Sequence, residues 1–188
     1  ELRVAPMNED GDLDLIELKS LIDHKTQLLA VSHISNTLGT IHPLDEITKL
    51  AKNKEIPILI DAAQSACHFE IGVDSLNCDF LTFSGHKMFG PFGVGILQVS
   101  EKYLGDMIPF NFGGGIIKDV QIEKTIFRDF PHNLDAGTPN VSGVIGLAAA
   151  LKLISDIGRS DMESHLNNLT LFALDQLPQV PGIEIIGN

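Results

Sequence analysis

The sequence predicts an α/β fold, in which a mainly parallel, mixed sheet is flanked by helices. Short apolar runs alternate with segments of helical periodicity from about residue 13 to residue 153. The run IPILIDA at 56–62 is too apolar to leave one face of a strand in water. Strands that are buried on both faces and separated by helices are typical of parallel sheets. With 188 residues, 44% of them hydrophobic, the chain has enough material for a buried core.

The first half of the chain predicts two helix–strand pairs. Residues 13–23 have apolar side chains at helical spacing and acidic residues early in the segment, and the apolar residues 28–34 follow as a strand. Residues 43–54 begin with Pro43 at a helix-entry position and end with lysines, which suits the helix dipole. The run 56–62, IPILIDA, is predicted to be the second strand.

The second half predicts two more strands, 80–84 and 93–99, and the short connection between them indicates that one strand runs antiparallel. Residues 141–158 predict a strongly apolar helix that ends at a glycine, and a second helix over about 160–177 stops at a proline. Residues 183–188, IEIIGN, are predicted to be a strand.

Polar and ionisable residues lie at or just beyond the C-terminal ends of the proposed strands. These residues are Asn36, Asp61, Ser84, His86 and Lys87. Ligands bind at that edge in open α/β sheets. Because lysine amines form Schiff bases with carbonyl compounds, Lys87 is either a chemical group or a solvated surface charge.

The other candidates also have plain structural alternatives. Asp61 is either a turn or helix-capping acid, or the partner of a bound cation such as a protonated pyridine nitrogen. Ser84 and His86 are either ordinary turn residues, or part of a phosphate anchor that backbone N–H groups complete. The glycines that follow Lys87 either let the backbone pass close to a ligand or simply form turns.

Three segments together carry a family resemblance. They are SHISNTLGTIHPLDEI at 32–47, the run from DAAQSACHFE to GPFGVGIL at 61–97, and DAGTPN at 135–140. The chain resembles the class V aminotransferase-like, fold-type I enzymes that use pyridoxal 5′-phosphate (PLP). Within that family it is most similar to cysteine desulfurases and selenocysteine lyases. The sulfur-mobilisation subgroup is the nearer one, judged from SNTLGT, SGHK, and His68 with Val73 and Asp74.

The resemblance implies roles for four residues around the cofactor ring. Lys87 looks like the catalytic lysine, which binds the cofactor covalently and later acts as the base at the substrate Cα. Asp61 would pair with the pyridinium nitrogen, and Gln64 would hydrogen-bond the ring hydroxyl oxygen. Asn36 resembles the asparagine that lies near the ring and the substrate carboxylate.

The resemblance also implies how the phosphate is bound. Ser84 and His86 would hold it, and Thr138 is similar to the threonine that reaches the phosphate of the neighbouring subunit, which implies a homodimer. His33 and His68 are interpreted as structural residues, and no spacing in the sequence predicts a metal site.

The implied activity is that of a PLP-dependent cysteine desulfurase or selenocysteine lyase, which removes sulfur from L-cysteine, or selenium from L-selenocysteine, and leaves alanine. A sulfur-acceptor protein is the further partner that this activity implies. Two alternatives stay open: another class V PLP enzyme, such as an aminotransferase or kynureninase-like hydrolase, and a non-catalytic remnant that serves as a dimerisation or scaffold module. An NAD-type Rossmann domain is disfavoured because SNTLGT lacks the G-x-G-x-x-G pattern.

Several features of the family cannot be located in the sequence. These are the residue that stacks on the ring, the substrate-binding arginine and the cysteine that accepts sulfur. Cys67 is expected on a helix behind the cofactor and Cys78 in the core, so neither occupies the nucleophile's position. The chain is therefore expected to be inactive alone, with residues 1–180 forming part of a PLP-binding large domain and residues 181–188 beginning a smaller C-terminal domain.

Composition limits the other partners. The formal net charge is −12, and the 13 lysines and arginines are scattered, which argues against nucleic acid because phosphate backbones bind clustered basic residues. No apolar stretch reaches the roughly 18 residues of a membrane span. Two cysteines without a metal-type spacing favour reduced thiols, and therefore a cytoplasmic protein.

Overall fold

The structure is a computed structural model that describes residues 1–69, 71 and 76–186. Among these residues, four strands form the central sheet. They are β1 (Leu29–Ser32), β2 (Ile58–Asp61), β3 (Phe80–Ser84) and β4 (Gly95–Val99), and they lie side by side in that order. The first three strands are parallel, and β4 is antiparallel to β3. The mainly parallel α/β sheet and its antiparallel strand are therefore confirmed.

Helices lie where the periodicity predicts them. The α-helices of the described residues are α1 (Leu15–Leu21), α2 (Leu44–Asn53), α3 (Val141–Ile157) and α4 (Arg159–Gln176). Short 3₁₀ helices follow β3, β4 and α4, at Gly85–Met88, Glu101–Asp106 and Leu177–Gln179. No single described helix is long and apolar enough to cross a membrane, and α3 and α4 reach that length and composition only as a pair bent by 79°.

Local chemistry sets the helix boundaries. Asp14 accepts hydrogen bonds from the backbone N–H groups of Ile16 and Glu17, and so caps the start of α1. Helix α2 begins after Pro43, as predicted, and carries two acids in its first turn. Gly158 separates α3 from α4 with a φ of +90°, a backbone conformation that strains any residue with a side chain.

The buried core lies on one face of the sheet. Side chains alternate between the two faces along each strand. Those that belong to the core or pack against it all share one face: Leu29, Val31, Ile58, Ile60, Leu81 and Phe83. Helices α1, α2 and α3 contribute to the same core cluster. On the other face, Asp61 is exposed and Leu97 is 50% exposed. Within the described residues, the core cluster therefore lies against one face of the sheet, and parts of the other face are exposed in this chain.

A small hairpin stands apart from the central sheet. Its strands are β5 (Ile117–Val120) and β6 (Thr125–Phe127), which pair antiparallel. The sequence pattern does not predict them, because IKDV and TIF mix polar and apolar residues over too few positions for a period to be recognised.

The end of the chain differs from its prediction. Residues 183–186 form no strand, so this part of the predicted strand 183–188 is wrong. An apolar sequence alone does not form a strand, because the backbone N–H and C=O groups of a strand need hydrogen-bond partners on a neighbouring strand. Residues 187–188, and Val73 and Asp74 of the family motif, lie outside the described ranges.

Candidate active site

Three chain connections follow the C-terminal ends of the parallel strands. Strand β1 leads into a loop over 33–42, β2 into a run of turns over 62–69, and β3 into the 3₁₀ helix Gly85–Met88. The first two are tied together where they leave the sheet, since the His33 N–H donates to the carbonyl oxygen of Asp61 at 2.9 Å. The edge predicted to bind a ligand is therefore built from three neighbouring connections.

Asn36, Gln64 and Lys87 meet at one oxygen atom. Lys87 Nζ donates a hydrogen bond to Asn36 Oδ1 at 3.2 Å, and Gln64 Nε2 donates to the same oxygen. The two contacts join positions 51 and 28 residues apart. Lys87 and Gln64 are half-buried and Asn36 is exposed, so the cluster is open to a ligand from the solvent side. The fold thus brings together three of the predicted site residues, one from each connection.

Asp61 ends β2 and begins the turns that carry Gln64. Its Oδ1 accepts a hydrogen bond from the Ala63 N–H at 2.9 Å. In the sheet, Asp61 is paired with Ser32 of β1 on one side and with Thr82 of β3 on the other. The turn-acid role is therefore present in the structure. It does not exclude a role toward a cation, because a carboxylate has a second oxygen.

Glycines hold the 3₁₀ helix that carries His86 and Lys87. The Gly85 N–H donates to the carbonyl oxygen of Val94 at 2.8 Å, and the Gly90 N–H donates to the carbonyl oxygen of Gly85 at 3.0 Å. A Cβ on Gly90 would lie 2.8 Å from that Gly85 oxygen, which is too close for any side chain. Position 90 therefore requires a glycine, because the backbone there passes close to the carbonyl oxygen of Gly85.

Ser84 and His86 flank the buried Gly85. Ser84 is half-buried at the end of β3, opposite Gly95 of β4. The exposed His86 ring stacks on Phe92, with ring centroids 5.1 Å apart and planes 18° from parallel. This contact holds the imidazole at the solvent side of the 3₁₀ helix.

Two residues near the site were not predicted from the sequence. Phe89 has a φ of +57°, which is costly for a bulky side chain, and its ring is 62% exposed. Asn140, the last residue of DAGTPN, accepts from the Gly143 N–H at 3.0 Å and donates to the carbonyl oxygen of Gly93 at 3.2 Å. It thereby caps α3 and ties it to the turn beyond Lys87. An asparagine before an apolar helical run is a cap signal that could have identified it.

Thr138 lies on the surface, in the segment between β6 and α3. The neighbouring Gly137 donates from its N–H to the carbonyl oxygen of Gly114 at 2.7 Å, so the segment packs against the glycine stretch 113–115. Within the described ranges, Thr138 makes no hydrogen bond to the Asn36 cluster of its own chain. Its proposed service to a neighbouring subunit stays a prediction.

The two cysteine thiols are poorly suited to nucleophilic chemistry. Burial raises the pKa of both Cys67 and Cys78, which favours their unreactive thiol forms. Cys67 lies in the turns after β2 and not on the predicted helix. Burial lowers the pKa of His33, whose Nδ1 has no hydrogen-bond partner. No group of His, Cys, Asp and Glu in the described part of the chain is arranged to hold a metal ion.

The family model for aminotransferase class V matches residues 1–188, the whole chain. The chain belongs to the class-V aminotransferase family. This match confirms the family that the three sequence segments indicated. Members of the family are PLP-dependent enzymes.

Similar proteins within the class-V family are cysteine desulfurases. The cysteine desulfurase of Shigella sonnei (strain Ss046) is 46% identical over 188 residues, which are 100% of this chain and 46% of that protein. A cysteine desulfurase of Escherichia coli (strain K12 / DH10B) is 45% identical over the same shares of both chains. The chain therefore spans about half the length of the curated relatives that it matches.

Solved structures give the same result. The cysteine desulfurase CsdA from Escherichia coli has a TM-score of 0.88 and 36% sequence identity, over 95% of this chain and 45% of that chain. The apo structure of a cysteine desulfurase from Thermococcus onnurineus NA1 has a TM-score of 0.83 and 39% identity over the same shares. These likenesses confirm the fold class and the resemblance to cysteine desulfurases.

The chemistry of the candidate residues in this class-V chain fits PLP. The cofactor presents an aldehyde, a ring nitrogen that takes a proton, a ring hydroxyl and a phosphate. The chain offers an amine, a carboxylate and an amide on neighbouring connections, and a hydroxyl and an imidazole beside the amine. These groups belong to Lys87, Asp61, Gln64, Ser84 and His86.

Proposed function

We propose that the protein containing this chain is a PLP-dependent cysteine desulfurase, which removes sulfur from L-cysteine and leaves L-alanine. The observation that carries the proposal is the meeting of Asn36, Gln64 and Lys87 at one oxygen, in a class-V chain that is 45% identical to cysteine desulfurases. L-Selenocysteine is the second candidate substrate, because the same bond cleavage would release selenium from it.

Lys87 is the proposed catalytic residue. Its neutral amine would hold the cofactor at the aldehyde carbon. With the substrate bound, the free lysine amine would take the proton from the substrate Cα. The hydrogen bond to Asn36 Oδ1 supports this role, because it keeps the amine at the ligand edge of the sheet.

Asp61, Gln64 and Asn36 are proposed to hold the ring and the substrate. When bound, PLP supplies a positively charged ring that stores the electron pair left at Cα. The negative charge of Asp61 favours the protonated form of the ring nitrogen. Gln64 can hydrogen-bond the ring hydroxyl oxygen without adding charge, and the Asn36 amide lies beside it for contact with the ring and the substrate carboxylate.

Ser84, His86 and Thr138 are proposed to bind the phosphate, with Thr138 supplied by a second copy of the chain. Ser84 and His86 lie on either side of Gly85; His86 is within the 3₁₀ helix that carries Lys87, and Ser84 directly precedes that helix. Thr138 is exposed, which suits a contact with another subunit. A homodimer is therefore part of the proposal.

The sulfur is proposed to leave to a cysteine other than Cys67 and Cys78. Burial raises the pKa of both thiols, so neither supplies a ready thiolate. A thiolate elsewhere in the intact protein would bond to the substrate sulfur as the Cβ–S bond breaks, and a proton would complete the methyl group of alanine. The resulting persulfide would then pass its sulfur to an acceptor protein in the cytoplasm.

The test uses the intact protein reconstituted with PLP. Borohydride is expected to fix the cofactor on Lys87, detected by mass spectrometry, and L-cysteine is expected to yield alanine and, with a reductant, sulfide. Lys87→Ala should abolish both results. The matched control is Lys52→Ala, which removes another lysine that donates to an asparagine side chain, Asn77. This control should leave both results unchanged.

The alternatives give different results in the same experiment. A trapped cofactor with transamination or kynureninase-like hydrolysis, and without alanine from cysteine, would assign another class V activity. Failure to form any adduct would identify a non-catalytic remnant. Alanine production by Lys87→Ala would overturn the role of this lysine.

A further inference from the structure

Arg159, the first residue of α4, reaches the turns that follow β2. Its Nη1 donates hydrogen bonds to the backbone carbonyl oxygens of Ala66, at 2.7 Å, and of Phe69, at 2.5 Å. These contacts join residues 93 and 90 positions apart in the chain. The guanidinium group of a half-buried arginine thus holds a segment that leads away from the candidate active site.

The turns over 62–69 form one compact unit. The Ala66 N–H donates to the carbonyl oxygen of Ala62 at 2.8 Å, and the Phe69 N–H donates to that of Ser65 at 2.9 Å, both at the spacing of a helical turn. The last carbonyl groups of such a run have no partner within it, and their dipoles favour a positive charge nearby. Arg159 supplies both the donors and the charge at this end.

The other end of the same unit carries two of the candidate cofactor contacts. Asp61 accepts a hydrogen bond from the Ala63 N–H, and Gln64 donates to Asn36. Because the unit is short and internally bonded, a displacement of its last carbonyl groups also displaces the Gln64 amide. Release of the Ala63 N–H would free the Asp61 carboxylate to rotate.

We propose that Arg159 is a positioning residue for the PLP site: by holding the carbonyl groups of Ala66 and Phe69, it fixes Gln64 and Asp61 in the orientation that binds the cofactor ring. It acts through the turns and not on the reacting atoms. The inference rests on the proposed function, since it takes the ring of PLP as the ligand of Gln64 and Asp61.

The test measures PLP binding by the intact apoprotein, followed by the absorption band of the bound cofactor. Arg159→Ala is expected to raise the PLP dissociation constant by about three- to tenfold, since a hydrogen bond from a charged donor stabilises its partner by a comparable factor or more. Arg159→Lys keeps the charge but not the planar guanidinium, and should restore part of the affinity. Amide hydrogen exchange of residues 63–66 in the apoprotein should be faster in Arg159→Ala.

The matched control is Arg3→Ala. Arg3 Nη1 donates to the carbonyl oxygen of Leu21, the last residue of α1, and to Asp23, both at 2.8 Å. It therefore holds the end of a different helix with the same kind of contact. Arg3→Ala is expected to lower the melting temperature while leaving the PLP dissociation constant unchanged. The control thus separates a general loss of stability, which both variants share, from a loss of PLP affinity that only Arg159→Ala shows.

The outcomes separate this inference from the proposed function. An unchanged PLP dissociation constant in Arg159→Ala, or an equal rise in Arg3→Ala, would overturn the role of Arg159. If Arg159→Ala does not fold, the same comparison is made with Arg159→Lys, and wild-type affinity there overturns the role. If the wild-type protein binds no PLP, the proposed function fails, and the positioning role fails with it.

Discussion

Asn36 places a neutral oxygen, rather than a charge, beside the amine of Lys87. An amide oxygen accepts a hydrogen bond from an amine without adding charge, whereas a carboxylate at the same place would favour the ammonium form. The difference matters because only the neutral amine can attack the cofactor. The same Asn36 oxygen also accepts from Gln64, so its side chain links the nucleophile to a predicted ring contact.

Asn36→Asp is therefore expected to slow the capture of PLP near neutral pH by about an order of magnitude, because each unit by which an added negative charge raises an amine's pKa lowers its neutral fraction about tenfold. The rate should recover as the pH is raised. The measurement is the rate at which the cofactor absorption band appears in the apoprotein. Asn77→Asp is the control, because Asn77 accepts from Lys52 away from the site. Equal rates for Asn36→Asp and wild type at every pH would contradict this role.

The charge of Asp61 can be separated from its hydrogen bond. Asp61→Asn keeps an oxygen for the Ala63 N–H but removes the negative charge. We expect the free energy of unfolding of the apoprotein to change by less than about 0.5 kcal/mol. Alanine production should fall by a factor on the order of 100 or more, the size of effect seen when one charge-stabilising group is removed from an active site. Urea unfolding and product analysis measure the two effects, and full turnover by Asp61→Asn would exclude the charge role.

Helix α3 depends on its cap at the end of the DAGTPN segment. Asn140 accepts from the Gly143 N–H and donates to the Gly93 carbonyl oxygen, so one side chain joins the helix start to the glycine turn. Asn140→Ala should lower the free energy of unfolding by about 1 kcal/mol, the usual cost of a lost N-cap. Asn140→Ser keeps the capping oxygen and should lose less. Urea unfolding compares the two variants, and equal losses would show that the cap contributes little.

The elements predicted from the sequence are those with a strong local cause. Helix α2 has its entry proline and early acids, and β2 is a continuous apolar run, so both lie close to their predicted bounds. The hairpin of β5 and β6 has no such period. How far each face of the sheet is buried does not follow from β2 alone, because burial depends on what covers the sheet and not on the strand's own composition.

The residues of the candidate site differ in how far the sequence predicted them. Lys87 and Asp61 follow from the rule that ligands bind at the C-terminal edge of parallel strands. Gln64 and Thr138 came only from the family resemblance, because nothing in their local sequence marks them. Arg159 came from neither source, since its contacts join segments 90 or more positions apart and no sequence period relates them.

The stability of the whole molecule is expected to depend on pH through His33. Its Nδ1 is buried without a partner, and its ring lies 5.7 Å from that of Phe69. Burial, and to a smaller extent the charge of nearby His42, lower its pKa below the ordinary value of 6.5. As the pH falls below 6.5, the unfolded chain therefore takes up a proton before the folded one. The contribution of neutral His33 to the free energy of unfolding is fully present above pH 6.5. It is lost as the pH falls toward the lower pKa of the folded state.

The free energy of unfolding should therefore fall as the pH is lowered below about 7, with a slope from this group of at most about 1.4 kcal/mol per pH unit. His33→Gln should flatten the dependence, because no titrating ring remains, whereas His24→Gln at an exposed position should keep it. Asp23 does not interfere, since a hydrogen bond from the Lys25 N–H lowers its pKa below 3.8. Urea unfolding at a series of pH values gives the slope. If the slope is as steep in His33→Gln as in the wild type, other groups cause the pH dependence and His33 contributes only by packing.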